Sequence, residues 1–398
     1  MSDIPIEVIE GEKYLKELEK GPWPSHVKET RKTRYPLALY GASLYLKRDL
    51  WTTGGYVSVP GTPTGILMRV TSRPDIGESA NVVRIFTPSG NFLTSQILDT
   101  ISDFADRFGV GMVHAITTGH NIEIPGIPKE RIREFVNEFR KTGLDVGSTG
   151  DAFRNTTSCV GQALCEYSGM NTLKFRDDFY ATFGDYAKYP TFPHKIKVKA
   201  SGCPLDCARC TQKADIGVLS TWEGAPEIIN ENMSKLSPEV LKDIILSCPT
   251  GAIEMNGGQV IVKGEDCVQC MKCVKSSSGA FMPGKNRKLA VYVGGKLRGK
   301  KGPLSSKLML KLDNEQQVFE LIQKLSETFA DHAARKERLG DMLFRIGMKN
   351  FLIMMDTERN SYQVSDLREN VFFKINGEER KEAANMLRRV VKGSDTNE

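Results

Sequence analysis

All nine cysteines of this chain fall between residues 159 and 273, and that confinement limits what the chain can fold into more than any other feature. The opening residues show no basic segment followed by an apolar one, so the expected location is the cytoplasm. Thiols stay reduced there, and an odd number of them argues against a disulfide framework. Thiols gathered in one stretch point instead to bound metal. With 398 residues the chain is expected to form two or three compact units, enough to enclose a large cofactor. No run of about 18 apolar residues occurs, so no membrane span is expected. The 55 basic and 49 acidic side chains leave a net charge of +6, too small and too dispersed to predict nucleic-acid binding but suited to enclosing an anion.

Spacing divides the cysteines. Cys267, Cys270 and Cys273 in "CVQCMKC" follow C-x2-C-x2-C, which wraps three thiolates around a cubane cluster, and Cys248 in "CPTGAI" supplies a remote Cys-Pro ligand, as in bacterial ferredoxins. These four predict one 4Fe-4S site. A structural zinc site is the competing reading, although zinc needs no third evenly spaced cysteine. Five remain: Cys159 and Cys165 in "TTSCVGQALCEY", then Cys203, Cys207 and Cys210 in "SGCPLDCARC". C-x5-C followed by C-x3-C makes a second four-thiolate set, with one cysteine left over. At the start of a helix, C-x3-C would keep two thiols on one face.

The remaining pattern predicts an α+β fold. "NVVRIF" (81–86) reads as a strand, "TPSGN" as a turn, and 95–108 as an amphipathic helix. "GMVHAITTGHNIEI" reads as two strands about a turn, and "PKERIREFVNEFRKTG" as a helix stopped by Gly143. Helices on one side of a mostly antiparallel sheet follow from this order. A similar grammar returns later: "HKIKVKA", "DIGVLSTW" and "KLAVYVGGK" as strands, then one long helical region from "EQQVFELIQ" to "MLFRIG". Between Trp222 and about Gly284 sits an apparent insertion, and the tail after Asp356 is charged and expected to be peripheral.

C-x5-C with C-x3-C, its second half reading "GCPLDC", resembles the sirohaem and 4Fe-4S motif of sulfite and nitrite reductases. With the ferredoxin-like insertion and "LEKGPWPSHVKE", where Trp23 and Pro24 are expected as packing anchors, the chain is similar over nearly its whole length to dissimilatory sulfite reductase α subunits. The resemblance implies two nitrite/sulfite reductase-type half domains around a sirohaem. Residues 1–145 form the first, 146–222 and 286–398 with the C-terminal helices form the second, and 223–285 form an inserted ferredoxin domain. It implies two 4Fe-4S clusters: one on Cys159, Cys165, Cys203 and Cys207, with Cys207 also bridging to the sirohaem iron, and one on Cys248, Cys267, Cys270 and Cys273. Cys210 lies outside the pattern and is expected to pack as a small hydrophobe.

A row of lysines leads into the second cysteine set. In a strand over 195–199, Lys195, Lys197 and Lys199 share one face about 7 Å apart, where like charges repel unless water or an anion answers them. A solvated sheet face gives the same alternation; the position, leading into the cysteines, favours an anion. The resemblance implies that Arg84, Arg154, Lys195 and Lys197 hold sulfite, and that Arg69 and Lys199 meet cofactor carboxylates. His114 and His120 are expected to be structural or to lie at the cofactor edge. The implied activity is six-electron reduction of sulfite, or its reverse, in an α2β2 complex with a homologous β subunit. An electron donor and a small sulfur-accepting protein would be its other partners. Two alternatives stay open: a single-chain assimilatory or detoxifying sulfite or nitrite reductase, and a non-catalytic electron-transfer or structural subunit.

Overall fold

A computed structural model of the chain describes residues 56–59, 62–69, 80–87, 92–109, 111–116, 121–297 and 302–358. Trp23, Pro24, His120, most of the "TPSGN" turn and nearly all of the tail after Asp356 lie outside these residues, as does the side chain of Arg69.

Strands β1 (Tyr56–Ser58), β2 (Ile66–Arg69), β3 (Ala80–Phe86), β4 (His114–Ile116), β5 (Asn121–Pro128) and β6 (Asp145–Val146) form an antiparallel sheet of order β1-β2-β3-β5-β4, with β6 also pairing β3. Helix α1 (Ser95–Phe108) starts where Thr94 accepts from Ile97 N at 3.2 Å. Helix α2 (Ile132–Lys141) gives way to Gly143, which takes φ +85° beyond its end. Both present phenylalanines to Val83, Ile85, Ile124 and Ile127 of the sheet. Phe104, Phe108, Phe135 and Phe139 pair with ring centroids 5.0 to 5.5 Å apart. Each such buried ring contributes about 1.5–3 kcal/mol, so this half carries its own core.

The second half opens with β7 (Thr157–Ser158), α3 (Thr172–Lys188), β8 (Val198–Ser201), α4 (Cys210–Lys213) and β9 (Ile216–Trp222). Here the sheet departs from the expected antiparallel pattern: β7 pairs β8, and β8 pairs β9, in parallel. Parallel neighbours need a crossover, and α3 and the cysteine loop with α4 supply the two. The expected lysine strand is also shorter. It begins at Val198, while Ile196 makes only an isolated bridge to Phe153.

From Trp222 the chain leaves the sheet for a module of β10 (Glu227–Ile228), α5 (Asn230–Met233), α6 (Pro238–Leu246), β11 (Ile253–Asn256), β12 (Gln259–Val262), α7 (Lys272–Ser276) and β13 (Phe281–Met282). It returns in β14 (Arg287–Val293), which pairs β9 from Arg287↔Trp222 to Val293↔Ile216. The module therefore hangs between two paired strands and leaves their register intact. Strand β15 (Lys307–Leu312) completes the order β15-β14-β9-β8-β7.

The expected long helical region consists of two helices, α8 (Glu315–His332) and α9 (Leu339–Ile346), and α10 (Met348–Met354) follows it. Ala333 is extended and Lys336 takes φ +64°, which ends the helical run and carries Arg338 inward to a buried ion pair. Phe175, Phe179 and Phe183 of α3 and Ile322 and Phe329 of α8 pack on Val218 and Val291 of the sheet. Among the described residues no helix is long and apolar enough to cross a membrane.

Candidate active site

Strands β7 and β8 end side by side, and each runs into cysteines. Cys159 N donates to Ala200 O at 3.1 Å, Gly202 N donates to Cys159 Sγ at 3.1 Å, and Gly169 N donates to Gly202 O at 2.7 Å. The 159–169 and 201–207 loops are thus laced together. That approach needs glycine, since a Cβ on Gly202 would lie 1.9 Å from Ser168 Oγ and 2.9 Å from Ser168 Cβ. Gly202→Ala is expected to cost about 1–3 kcal/mol, as overpacking does, and to lower bound iron. A denaturant midpoint and an iron count equal to those of the unaltered chain would show that the loops accommodate the methyl.

The Cys203–Cys207 pair is not on a helix, as its spacing suggested, but in a turn that precedes one. Asp206, at φ +51°, accepts from Cys210 N at 2.6 Å, Thr211 N at 3.0 Å and Ser201 Oγ at 2.9 Å, so its carboxylate caps α4 and ties the turn to β8. Cys207 is exposed, whereas Cys210 is fully buried with its Sγ 3.3 Å from Ser201 Oγ. Burial, reinforced by the Asp206 charge, raises the Cys210 thiol well above its ordinary range.

A cavity of about 580 Å³ opens between the two halves. Cys159, Cys165, Cys203 and Cys207 line it on one side, and Thr87, Asn121 and Ile122 on the other. Its volume is that of an organic-ligand site. Ser158 lines it too, and the Ser158 hydroxyl is buried without a partner among the described residues. Burial, with the Cys165, Cys207 and Cys159 charges adding to it, pushes the Cys203 thiol up to about 11. Four cysteines around one cavity would give up their protons together only to a cationic centre that binds the thiolates. A second, smaller cavity under Trp222 is lined by Cys248, Cys267, Cys270 and Cys273. Among the described residues no three His, Cys, Asp or Glu side chains close on a single point as the ligands of one ion do. The two thiol sets surround volumes instead, and Cys210 faces neither. Four non-glycine residues with positive φ, Asp206, Arg209, Gln269 and Met271, flank these cysteines. Strain at such loops persists only where the surrounding structure holds it.

The expected oxyanion residues gather at the other end of the same strands. Arg154 precedes β7, and its N donates to Ile196 O at 2.9 Å, which sets it beside Lys195 and Lys197 ahead of β8. Burial, then the Arg84 and Arg338 charges, lowers Arg154 to about 9; its Nε has no partner among the described residues. Burial, then Arg154 and Arg338, lowers Lys195 to about 8, and burial, then Arg338, lowers Lys197 to about 8. None of these three, nor Arg84, lines the 580 Å³ cavity. At about 3.3 Å per residue, Lys197 lies about 17 Å along the chain from Gly202. No hydrogen bond crosses that distance. The cations and the cysteines serve one reaction only through a large group between them.

Two expected residues are placed differently. Arg84 donates through Nε and Nη2 to Glu123 Oε1 at 2.9 and 2.7 Å and through Nη1 to Ser148 O at 3.1 Å, so its fork is engaged by a buried carboxylate. His114 Nδ1 lies 3.4 Å from the other oxygen of that carboxylate, which makes the histidine structural. Lys199 is buried and donates to Ala208 O at 2.9 Å; it braces the cysteine turn rather than lining the cavity. The sequence reading passed over Glu123, Asp215 and Arg338. Glu123 alone left a trace, as the polar break in "NIEI".

Residues 149–361, which include every cysteine, match the family described as the nitrite and sulphite reductase 4Fe-4S domain. The chain belongs to the nitrite and sulphite reductase family. The family's ferredoxin-like half domain matches residues 77–142, within the first half described above. Relatives in the family include the dissimilatory-type sulfite reductase subunit alpha of Allochromatium vinosum, 30% identical and covering 91% of this chain and 94% of the relative. The corresponding subunit of Nitratidesulfovibrio vulgaris is 23% identical over 90% and 93%. The dissimilatory-type subunit beta of Archaeoglobus fulgidus is 24% identical over 78% and 86%. A crystal structure of dissimilatory sulfite reductase I shares the fold, with a TM-score of 0.74 and 24% identity over 92% of this chain and 95% of that one.

Proposed function

We propose that this chain is the alpha-type subunit of a dissimilatory sulfite reductase and takes part in the six-electron reduction of sulfite. The observation that carries this reading is the division of the cysteines, four around one large cavity and four around a second, with a cluster of cations just ahead of the strands that lead into the first set. Cys159, Cys165, Cys203 and Cys207 would hold a 4Fe-4S cluster coupled through Cys207 to a sirohaem in the large cavity, and Cys248, Cys267, Cys270 and Cys273 would hold a ferredoxin-type cluster. When bound, these groups supply single-electron transfer and an iron that accepts a sulfur oxyanion. The names of the relatives support a homologous beta subunit as partner, with an external electron donor and a small sulfur acceptor completing the set.

The protein's own share is electrostatic. Arg154, Lys195 and Lys197 gather positive charge that Asp151 and Asp215 offset in part and that a bound anion would answer further, and the lysines can give up protons as oxygen leaves as water. Their depressed values set the pH dependence. Both amines, at about 8, are cationic below that pH and neutral above it. Sulfite kcat/KM is therefore expected to be full below about pH 7 and to fall as pH rises through about 8. Stability runs the other way: a cation whose folded value lies below its unfolded 10.5 weakens the fold at low pH, and that cost disappears as pH rises from about 8 to 10.5. A pH profile flat from 6 to 9 would remove the lysines from the reaction.

The test of the reading is anaerobic purification of the native complex, with its visible spectrum, iron content and partner chains recorded. Sulfite and nitrite turnover would then be compared with a low-potential donor. A sirohaem band with sulfite turnover is expected. Absence of the band from the alpha chain, with cluster signals kept, would leave it an electron-transfer subunit, and turnover without a second homologous chain would make it a single-chain reductase.

A further inference from the structure

Asp215, the residue before β9, is completely buried, and its carboxylate receives three hydrogen bonds. Arg338 grips it from two sides, Nε to Oδ1 at 2.8 Å and Nη2 to Oδ2 at 2.7 Å, and Lys197 N donates to Oδ2 at 2.8 Å. The Asp215 main chain adds two more ties, its N donating to Lys197 O at 2.9 Å and its O accepting from Gly294 N at 2.8 Å. One residue thus joins the lysine segment, the end of β14 and the linker between α8 and α9. The linker is itself fixed: Lys336 N donates to Pro193 O at 3.1 Å, Ala334 N to Glu337 Oε2 at 2.8 Å, and Arg345 Nη2 pairs with that same oxygen at 2.8 Å.

The charges around Lys195 and Lys197 are Arg154 and Arg338 on the positive side and Asp215 and Asp151 on the negative side. Arg84 stands beyond Arg154. His194, next to Lys195, is occupied by Asp151, with Nδ1 3.0 Å from Oδ1, and Lys336 Nζ holds the other Asp151 oxygen at 2.8 Å. Asp151 is half-buried and shared between those two groups, which leaves Asp215 as the one fully buried carboxylate among these charges.

We propose that Asp215 is a positioning residue for the oxyanion site: it draws Arg338 into the cation cluster, fixes the main chain of Lys197, and sets how many positive charges the cluster holds. The role in sulfite chemistry rests on the proposed function; the electrostatic role does not. Asp215 and Arg338 act on the lysines with opposite sign, so their removal moves the amines in opposite directions. Loss of the carboxylate leaves Arg338 unanswered and makes both lysines easier to deprotonate. Loss of Arg338 leaves a carboxylate beside them and makes them harder to deprotonate.

The experiment uses the purified complex with Asp215→Asn and Arg338→Met. Two readouts are taken: the alkaline limb of the sulfite pH profile, and competitive labelling of Lys195 and Lys197 with acetic anhydride across pH, read by peptide mass spectrometry. The midpoints are expected to fall by about one pH unit in Asp215→Asn, a roughly tenfold rise in the ratio of neutral to charged amine, and to rise in Arg338→Met. Labelling reports the charge effect even if sulfite proves not to be the substrate. Midpoints that stay put, or that move the same way in both variants while stability falls, would reduce Asp215 to a structural residue. Should Asp215→Asn not fold, Arg338→Met decides alone, since an unchanged or lowered midpoint there overturns the proposal.

Discussion

Cys207→Ser is expected to abolish sulfite turnover, with a loss of at least about 100-fold, the upper end of what even the outer partners of metal ligands cost. Cys207 is the exposed member of the set around the large cavity, at the tip of a turn held by Asp206 and Lys199. Serine keeps the shape but replaces the thiolate with an oxygen that stays protonated. The companion variant separates loss of a ligand from loss of packing. Cys210→Ala, three residues on, removes a sulfur sealed in the interior, so it is expected to lower stability by about 1–2 kcal/mol and to leave iron content and visible spectrum unchanged. Iron loss in Cys210→Ala equal to that in Cys207→Ser would refute the assignment of eight ligands and one packing thiol.

Lys195→Met and Lys197→Met are each expected to lower sulfite kcat by about 10²–10³-fold with iron retained, the range for removing one preorganised donor from a developing charge. Methionine keeps most of the side chain's length and apolar stem, so the loss would report charge and proton rather than packing. The lysines sit ahead of β8 among Arg154, Arg338 and Asp215, away from the cysteine loops, so cluster assembly should not depend on them. Unchanged turnover in both variants would return them to a solvated face.

Much of this arrangement was legible in residue order because it depends on local spacing. Helices at 95–108 and over 132–141, the paired strands at 114–116 and 121–128, and the module between Trp222 and Arg287 follow from periodicity, glycine placement and cysteine count. The sequence grouping of the cysteines into four, four and one coincides with those that line the large cavity, those that line the smaller one, and Cys210, which lines neither. The helix break at Ala333 to Arg338 was not legible. Its apolar periodicity continues through the break, and the buried Asp215 that receives Arg338 comes from a distant part of the chain. Lys199 misled for a related reason. Alternation put it with Lys195 and Lys197, but β8 starts at Val198 and the cysteine turn folds back over its ammonium.

The sequence by itself determined the metal chemistry, the α+β class and the candidate cations, since spacing and alternation act over a few residues. Only the tertiary structure decided which charges are answered: Arg84 by Glu123, Arg338 by Asp215, and Lys199 by a main-chain carbonyl, while Lys195, Lys197 and Arg154 crowd one another. Pairing a buried charge depends on which remote group folds against it, and no local interval in the chain records that partner.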